Sequence, residues 1–248
     1  MEVFRQYVVQ SVCIEEGDVV AIVSGARENA IAVYVGVMLR APDRGGHCVY
    51  ASMVYIDAGG EIGSVHRKLM PTYEDRLVWA MGDGHGLRTH KLGPFTAGGL
   101  NCWENWLPLA RAALYAQGED LHVAIWPGNQ RNTEDITRFI AREGRCFVVS
   151  VSGLMRRSDI PDSLPHADLL REAADDVMAD GGSCIATPTG EWLLAPETGE
   201  ESLRVAELDH RIVLEERQSL DVAGHYSRPD VTQLLVDRRR QSTAKFSD

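Results

Sequence analysis

The sequence has few of the features that indicate a disulfide scaffold, a zinc module or a membrane protein. Its five cysteines are odd in number and widely spaced, and none belongs to a Cys-x-x-Cys pair, so we expect free thiols in a reducing compartment and no metal site. Apolar runs stay far below the roughly twenty residues that span a bilayer, and the first residues do not form the apolar core of a signal peptide. We therefore expect a cytoplasmic protein without a membrane partner.

Positive charge is scarce as well. The chain carries 25 Lys and Arg residues against 36 Asp and Glu residues, which gives a formal net charge of −11. This balance argues against nucleic acid as a partner, because nucleic-acid-binding surfaces attract phosphates with clustered basic side chains. The triple arginine at residues 238–240 is expected to be a solvated end. A small molecule is the expected ligand.

Patterns typical of strands alternate with patterns typical of helices. With 248 residues and 44% hydrophobic content, the chain is long enough for one large domain or two modest ones. Runs rich in β-branched and aromatic residues predict strands at residues 30–37, 48–57, 62–66, 95–101, 121–127, 146–151, 183–187, 191–194 and 203–208. Start and stop residues predict helices at residues 104–117, 132–143 and 211–218. This alternation is typical of an α/β layer protein.

One cysteine lies where a predicted strand turns into a predicted helix. Gly98 and Gly99 lead into Cys102, and the helix pattern that follows ends at Gly118. A thiol in this place faces the partial positive charge of a helix N-terminus, which favours the thiolate, and its N–H groups can receive an oxyanion. The local context leaves a second interpretation open, since a free cysteine in apolar surroundings is more often an inert core residue.

Three motifs in a fixed order help to decide whether Cys102 is reactive or inert. They are HRKLMPT at residues 66–72, GGLNCWENWLPLAR at residues 98–111 and HVAIWPG at residues 122–128. Two later stretches, at residues 181–186 and 225–230, fit the same pattern. With these motifs the chain resembles the nitrilases of the carbon–nitrogen hydrolase superfamily from residue 1 to about residue 243. The Cys-Trp-Glu-Asn form is that of the nitrilase branch rather than of the amidase branches, and it favours a reactive Cys102.

The resemblance implies an α/β fold, a four-layer αββα sandwich of the nitrilase type, over residues 1–230, with a C-terminal tail at residues 231–248. In nitrilases the general-base glutamate follows a second strand near the N-terminus, in a Phe-Pro-Glu type sequence that precedes the part resembled by residues 1–7. We therefore expect an N-terminally truncated chain that lacks the first strand, the first helix, the second strand and this base. Unpaired strand edges would then make the fragment poorly stable or aggregation-prone.

The resemblance also assigns catalytic roles. Cys102 is the implied nucleophile, and Lys68 is the implied catalytic lysine of a Glu–Lys–Cys set. The family usually has a second carboxylate, a glutamate, directly before the position of Arg76, where this chain has Asp75 preceded by Glu74. Because an aspartate is one methylene shorter, either Asp75 acts at a reduced reach or Glu74 takes its place.

Four further residues are implied in the substrate pocket. The backbone N–H of Trp103 would help to stabilise the negative charge of the reaction as an oxyanion-type donor. Trp103, Trp126 and Pro127 would wall the pocket. Glu104 has two interpretations, because it would either line the pocket or, as a carboxylate in the first turn, favour the positive end of the helix.

The implied reaction converts an organic nitrile and water into a carboxylic acid and ammonia through a cysteine thioimidate and a thioester, with no metal or organic cofactor. The alternatives are an amidase or nitrile-hydrating enzyme of the same superfamily, or a non-catalytic truncated fragment. Relatives pair into dimers and spiral filaments, which implies a homo-oligomer. His122 and His225 are predicted to be hydrogen-bonded structural residues. The identity of the nitrile depends on pocket side chains that the sequence does not place.

Overall fold

The computed structural model describes residues 1–244, which fold as two compact units. Of the described residues, the first unit comprises 1–90 and 234–244, and the second comprises 91–233. Each unit contains strands and helices of its own, as expected for an α/β protein. No helix within residues 1–244 has the length and apolar character needed to cross a membrane.

An antiparallel three-stranded sheet forms the centre of the first unit. Its strands, in spatial order, are β1 (Val33–Arg40), β2 (Val49–Ile56) and β3 (Ile62–Arg67). Two helices precede them, α1 (Glu2–Gln10) and α2 (Val20–Asn29). The β-branched and aromatic side chains of β2 suit a central strand, and seven of its eight residues are buried.

The turn between β2 and β3 sets the position of the residues that follow. Asp57 accepts hydrogen bonds from the N–H groups of Gly59 and Glu61 over 2.9 and 2.8 Å, and Gly60 takes a φ of +79° that favours glycine. The predicted hairpin is confirmed. Its register continues one residue past β3, where the N–H of Lys68 donates to the carbonyl oxygen of Ala51 over 2.8 Å.

A seven-stranded sheet forms the centre of the second unit. Its strands are β4 (His90–Leu92), β5 (Phe95–Asn101), β6 (Leu121–Trp126), β7 (Phe147–Ser152), β8 (Leu154–Arg156), β9 (Val177–Ala186) and β10 (Trp192–Thr198). The spatial order is β10-β9-β7-β6-β5-β4, and β8 pairs with β9. The helices of this unit are α3 (Pro108–Tyr115), α4 (Gln130–Gly144), α5 (Ala167–Ala173) and α6 (Arg211–Arg217).

The three parallel strands β5, β6 and β7 all end at the same edge of this sheet. Their register aligns Asn101 with Ile125 and Ile125 with Val151, so the residues that follow β5 and β6 arrive side by side. These residues are Cys102, directly after β5, and Pro127, directly after β6. Helix α4 packs Ile136 and Ile140 into the core beneath the strands.

Several sequence predictions need correction. Residues 203–208 form no strand, because their alternating apolar residues face solvent: Leu203 and Val205 are exposed. The helix predicted at residues 104–117 starts only at Pro108, since a 3₁₀ turn (Cys102–Trp106) precedes it. The strand predicted at residues 30–37 begins at Val33, because Ala30 ends α2 with a φ of +52°. Helices α1, α2 and α5 were not predicted.

The triple arginine is only partly a solvated end. Arg238 and Arg239 are exposed, whereas Arg240 pairs with the buried Asp83 over 2.8 Å. The second oxygen of Asp83 accepts a hydrogen bond from the N–H of Gln241 over 2.9 Å. Desolvation lowers the pKa of Arg240, and the neighbouring charge of Arg67 lowers it further. The C-terminal segment is thus bound to the loop that follows Lys68 in the first unit.

Candidate active site

The first unit holds a buried lysine with defined partners. Lys68 has only 2% of its surface exposed, and a buried ammonium group needs hydrogen-bond acceptors to offset its lost hydration. Its Nζ donates to Thr72 Oγ1 over 3.1 Å and lies 3.5 Å from Asp75 Oδ2. The indole ring of Trp79 covers the ammonium group with its centroid 5.9 Å away, which is a cation–π distance.

The turn after Lys68 fixes which carboxylate reaches the lysine. Thr72 precedes a 3₁₀ turn (Tyr73–Leu77), and its backbone N–H donates to Asp75 Oδ2 over 3.2 Å. This bond orients the Asp75 carboxylate toward Lys68. Glu74 is exposed to solvent. Of the two carboxylates that the sequence left open, Asp75 is therefore the one in contact with the lysine.

Sequence reasoning did not identify Tyr7 as a neighbour of this group. Its hydroxyl accepts a hydrogen bond from Trp79 Nε1 over 2.9 Å, and the two rings are 6.4 Å apart. Burial raises the pKa of Tyr7, and the hydrogen bond from Trp79 opposes that effect only in part. Tyr7 lies in α1, 72 residues before Trp79, and no local motif links the two positions.

The second unit presents Cys102 on a strained backbone. All seven residues of β5 are buried, and the strand ends where Cys102 takes a φ of +56°. This left-handed conformation costs an L-residue about 1–2 kcal/mol, so the surrounding structure must impose it. The Cys102 side chain is half-buried and packs against the core cluster that contains Trp126.

Glu104 stabilises this turn by a side-chain hydrogen bond. Its carboxylate accepts a hydrogen bond from the backbone N–H of Asn101 over 3.0 Å, and its side chain is buried. This bond is one of the two reciprocal hydrogen bonds that make up a capping box. This contact favours the structural interpretation of Glu104, and a role in lining the pocket stays a prediction.

A buried hydrogen-bond chain lies behind Cys102. Asn105 Nδ2 donates to the carbonyl oxygen of Cys102 over 2.8 Å, and Asn105 Oδ1 lies 2.8 Å from His122 Nε2. His122 Nδ1 in turn lies 3.0 Å from Glu119 Oε1. Asn105, His122 and Glu119 are all fully buried. The prediction that His122 is a hydrogen-bonded residue is confirmed, whereas Asn105 and Glu119 were not singled out.

The predicted pocket walls differ in exposure. Trp103 is half exposed and stacks on Trp106 with ring centroids 6.5 Å apart. Trp126 is buried in the core cluster against which Cys102 packs, while Pro127 is exposed at the end of β6. Their role as walls of a substrate pocket stays a prediction.

The other buried thiols have no comparable setting. Burial raises the pKa of Cys146 well above its ordinary value, and burial likewise raises the pKa values of Cys13 and Cys184. Burial therefore disfavours the reactive thiolate form at all three of these cysteines. Within residues 1–244, no group of three or more His, Cys, Asp and Glu side chains is arranged to hold a metal ion.

Comparisons with known proteins show the family to which the chain is similar. Residues 6–214 match the family model described as carbon–nitrogen hydrolase. The chain is 33% identical over 239 residues to an aliphatic nitrilase of Sinorhizobium fredii, covering 96% of this chain and 75% of the relative. It is 31% identical over 249 residues to nitrilase 1 of Arabidopsis thaliana, and this match covers 98% of this chain and 70% of the relative. A bifunctional nitrilase/nitrile hydratase of Nicotiana tabacum is 31% identical over 251 residues, with 99% and 70% covered.

Solved structures show the same fold. A carbon–nitrogen hydrolase from Helicobacter pylori G27 superposes with a TM-score of 0.69 at 20% identity, covering 87% of this chain and 74% of that one. An amidase from Nesterenkonia sp. AN1 superposes with a TM-score of 0.62 at 18% identity, covering 88% and 79%. The predicted α/β fold of the nitrilase type is confirmed by this likeness.

Proposed function

The chain belongs to the carbon–nitrogen hydrolase family, whose members act on non-peptide carbon–nitrogen bonds, and we propose that it is a nitrilase-type hydrolase. In this proposal it converts an organic nitrile and two water molecules into a carboxylic acid and ammonia. The observation that carries the proposal is the placement of Cys102 at the end of a buried parallel strand, with a positive φ and a turn whose N–H groups follow directly. Relatives at 31–34% identity are named nitrilases.

The proposed first step is attack of the Cys102 thiolate on the nitrile carbon. A carbon–sulfur bond forms, one π bond of the nitrile breaks, and its electron pair goes to nitrogen, which takes up a proton to give a thioimidate. Lys68 is proposed to stabilise or protonate this nitrogen, and the backbone N–H of Trp103 is the second proposed donor. The buried ammonium of Lys68, held by Thr72 and Asp75, is the kind of fixed charge that such a step requires.

Two waters complete the proposed reaction. The first adds to the thioimidate carbon to give a tetrahedral intermediate, which expels ammonia and leaves a thioester on Cys102. The second water adds to the thioester carbon, and the carboxylic acid leaves as the thiol is restored. Each addition again places negative charge on an atom near Cys102, so the same donors serve all the steps.

A second candidate product is the amide. If the tetrahedral intermediate formed by the first water expels the thiol instead of ammonia, the product is an amide and the reaction is nitrile hydration. Relatives from Nicotiana tabacum and Lupinus angustifolius are named bifunctional nitrilase/nitrile hydratases, which favours testing for this product. An amidase activity is the third possibility within the family, since an amidase structure shares the fold.

Product analysis tests these alternatives. The purified chain is incubated with aliphatic, aromatic and arylacetonitriles and with the corresponding amides, and acid, amide and ammonia are quantified, with Cys102→Ala as the control. Acid and ammonia released in equal amounts from a nitrile support the nitrilase reaction. Amide as the main nitrile product supports hydration, and turnover of amides alone supports an amidase. No turnover of any nitrile or amide contradicts the proposal.

We further propose a cytoplasmic homo-oligomer, a dimer or spiral filament, with a small-molecule nitrile as substrate. This proposal rests on the resemblance to nitrilases. Light scattering coupled to size-exclusion chromatography measures the assembly, and a single species at the mass of one 27.4 kDa chain contradicts it.

A further inference from the structure

Three fully buried residues, Asn105, His122 and Glu119, form a hydrogen-bonded chain behind Cys102, and the contacts of Asn105 allow only one pattern of donors and acceptors. Asn105 Nδ2 contacts two carbonyl oxygens, that of Cys102 at 2.8 Å and that of Leu100 at 3.3 Å. Only an amide nitrogen can donate to both, so Asn105 Oδ1 must face His122 Nε2. His122 Nε2 must then carry a hydrogen and donate it over 2.8 Å.

The same assignment of donors and acceptors places one proton between His122 and Glu119. Because Nε2 is a donor, Nδ1 either donates its own hydrogen to a Glu119 carboxylate or accepts one from a protonated Glu119. In both cases one proton lies between the two groups and the pair has no net charge. A neutral pair is what a fully buried position requires. The donor sequence from His122 Nε2 to Asn105 Oδ1, and from Asn105 Nδ2 to the Cys102 carbonyl oxygen, is therefore the same in both cases.

Fixing the Cys102 carbonyl also fixes the next N–H group. The Cys102 carbonyl and the Trp103 N–H belong to one planar peptide unit, and none of the peptide bonds among the described residues is cis. In a trans peptide the C=O and N–H point in opposite directions. A hydrogen bond that holds the carbonyl toward Asn105 therefore turns the Trp103 N–H away from the protein core.

We propose that Asn105, His122 and Glu119 are positioning residues that set the direction of the Trp103 N–H as an oxyanion donor for reactions at Cys102. This inference rests on the proposed function, in which that N–H stabilises the negative charge of each addition. The three residues touch no reacting atom. They act through the backbone of Cys102, whose φ of +56° would otherwise relax toward a more favourable conformation.

The test compares two reactions of the Cys102 thiol in the full 248-residue chain. Iodoacetamide alkylates the thiolate by displacing iodide and forms a thioether, a step that needs no oxyanion donor. Butyraldehyde forms a reversible thiohemiacetal: a carbon–sulfur bond forms, the carbonyl π bond breaks, and the oxygen receives the electron pair and then a proton. Protection of the Cys102 peptide from alkylation, measured by mass spectrometry, gives the aldehyde dissociation constant. The Cys102 peptide is quantified separately from the peptides that contain the other four cysteines, Cys13, Cys48, Cys146 and Cys184, so alkylation at those thiols does not enter the dissociation constant.

We expect Asn105→Ala to weaken butyraldehyde binding at least tenfold, while the alkylation rate without aldehyde stays within threefold of the parent chain. Loss of one oxyanion donor costs about 10²–10³ in rate in enzymes, so a misdirected donor should give a smaller but measurable loss. An aldehyde affinity within twofold of the parent chain overturns the proposal, as does a parent chain in which aldehyde gives no protection of Cys102.

Two substitutions at Glu119 test the hydrogen bonds beyond Asn105, and they decide the outcome if Asn105→Ala does not fold. In Glu119→Gln an amide N–H can donate to Nδ1 of neutral His122, so we expect affinity within twofold of the parent chain. Glu119→Leu removes the partner, and we expect at least a fivefold loss. Equal losses in both variants contradict the assigned donor sequence.

The control is a buried hydrogen bond of the same unit that does not touch Cys102. Thr137 Oγ1 and Ser150 Oγ lie 2.6 Å apart and are both buried, so Thr137→Val should lower the melting temperature without changing aldehyde affinity. If Thr137→Val weakens the aldehyde as much as Asn105→Ala does, the effect is general destabilisation and the proposal is wrong. Failure of the proposed function is distinguishable, because a chain that turns over no nitrile or amide can still show aldehyde protection that depends on Asn105.

Discussion

Lys68 Nζ lies 3.5 Å from Asp75 Oδ2, and the same oxygen accepts the backbone N–H of Thr72 over 3.2 Å. The carboxylate is therefore held by the turn and does not depend on the lysine for its orientation. The Lys68 side chain has 2% of its surface exposed, whereas Asp75 is about one third exposed. The lysine is thus fixed between one hydroxyl and one carboxylate, with the Trp79 ring on another side.

This geometry predicts different effects for the two neighbouring carboxylates. We expect Asp75→Asn to lower kcat for nitrile hydrolysis about tenfold or more, because Lys68 loses its charged partner and the orientation that the partner gives it. Asp75→Glu should retain activity, since it restores the carboxylate that the family usually has here. Glu74→Gln is the control and should match the parent chain, because Glu74 is exposed. Steady-state kinetics measure kcat of the three variants, and a larger loss of kcat in Glu74→Gln than in Asp75→Asn would show that Glu74 is the second carboxylate.

The positive φ of Cys102 predicts a specific order of stabilities. Glycine adopts this conformation without steric cost, whereas alanine does not. We expect Cys102→Gly to unfold in urea with a free energy about 1 kcal/mol higher than Cys102→Ala, although neither variant should form product. At Cys146, which has no positive φ, glycine should instead be less stable than alanine. The same order at both positions would show that the Cys102 backbone is not strained.

Local sequence patterns predicted the strand before Cys102 correctly. Residues 95–101 form β5 with the predicted bounds, because a buried strand that ends at a turn has a clear local pattern. The contacts around it depend on residues far apart in the chain. Asn105 and His122 are 17 residues apart, and Tyr7 and Trp79 are 72 apart, so no local pattern relates them. Motif resemblance located Lys68 and Asp75, but only the structure shows which carboxylate contacts the lysine.

Errors in the predicted elements have a common cause. Residues 203–208 alternate like a strand, but they pair with no strand of the described chain, and Leu203 and Val205 stay exposed. Helix α2 contains several β-branched residues, which lower helix propensity, so local composition argued against it. Its formation depends on packing: Ala26 of α2 belongs to a core cluster with Val54 and Ile56. Tertiary packing therefore decided both cases: α2 has the packing that local composition does not predict, and residues 203–208 lack the pairing that their alternation suggests.

The loop after Lys68 predicts opposite effects for two glycine substitutions in the first unit. A Cβ at Gly82 would overlap the carbonyl oxygen of Arg67 and lie 2.7 Å from that of Lys68, and these are backbone atoms that cannot move aside cheaply. We expect Gly82→Ala to lower the free energy of unfolding by about 2 kcal/mol or more and to lower kcat. Gly25 lies within α2 with no atom near its Cβ position, so Gly25→Ala should raise stability by about 0.5–1 kcal/mol. Equal effects of both substitutions in urea denaturation would contradict the close packing at Gly82.

His90 predicts a loss of stability on acidification. Its ring stacks on Tyr55 with centroids 3.9 Å apart, and Nε2 lies 2.8 Å from Ser64 Oγ. Burial lowers the pKa of His90, the charge of Arg88 lowers it further, and Asp57 opposes both. The unfolded chain therefore binds a proton at this histidine at a higher pH than the folded chain does, so stability falls as the pH decreases through about 6.5, the ordinary value for histidine. We expect the free energy of unfolding of the parent chain to decrease more between pH 7.5 and pH 5 than that of His90→Gln, which carries no titrating ring. Urea denaturation at both pH values measures this difference, and equal decreases in the two proteins would show that His90 does not couple folding to pH.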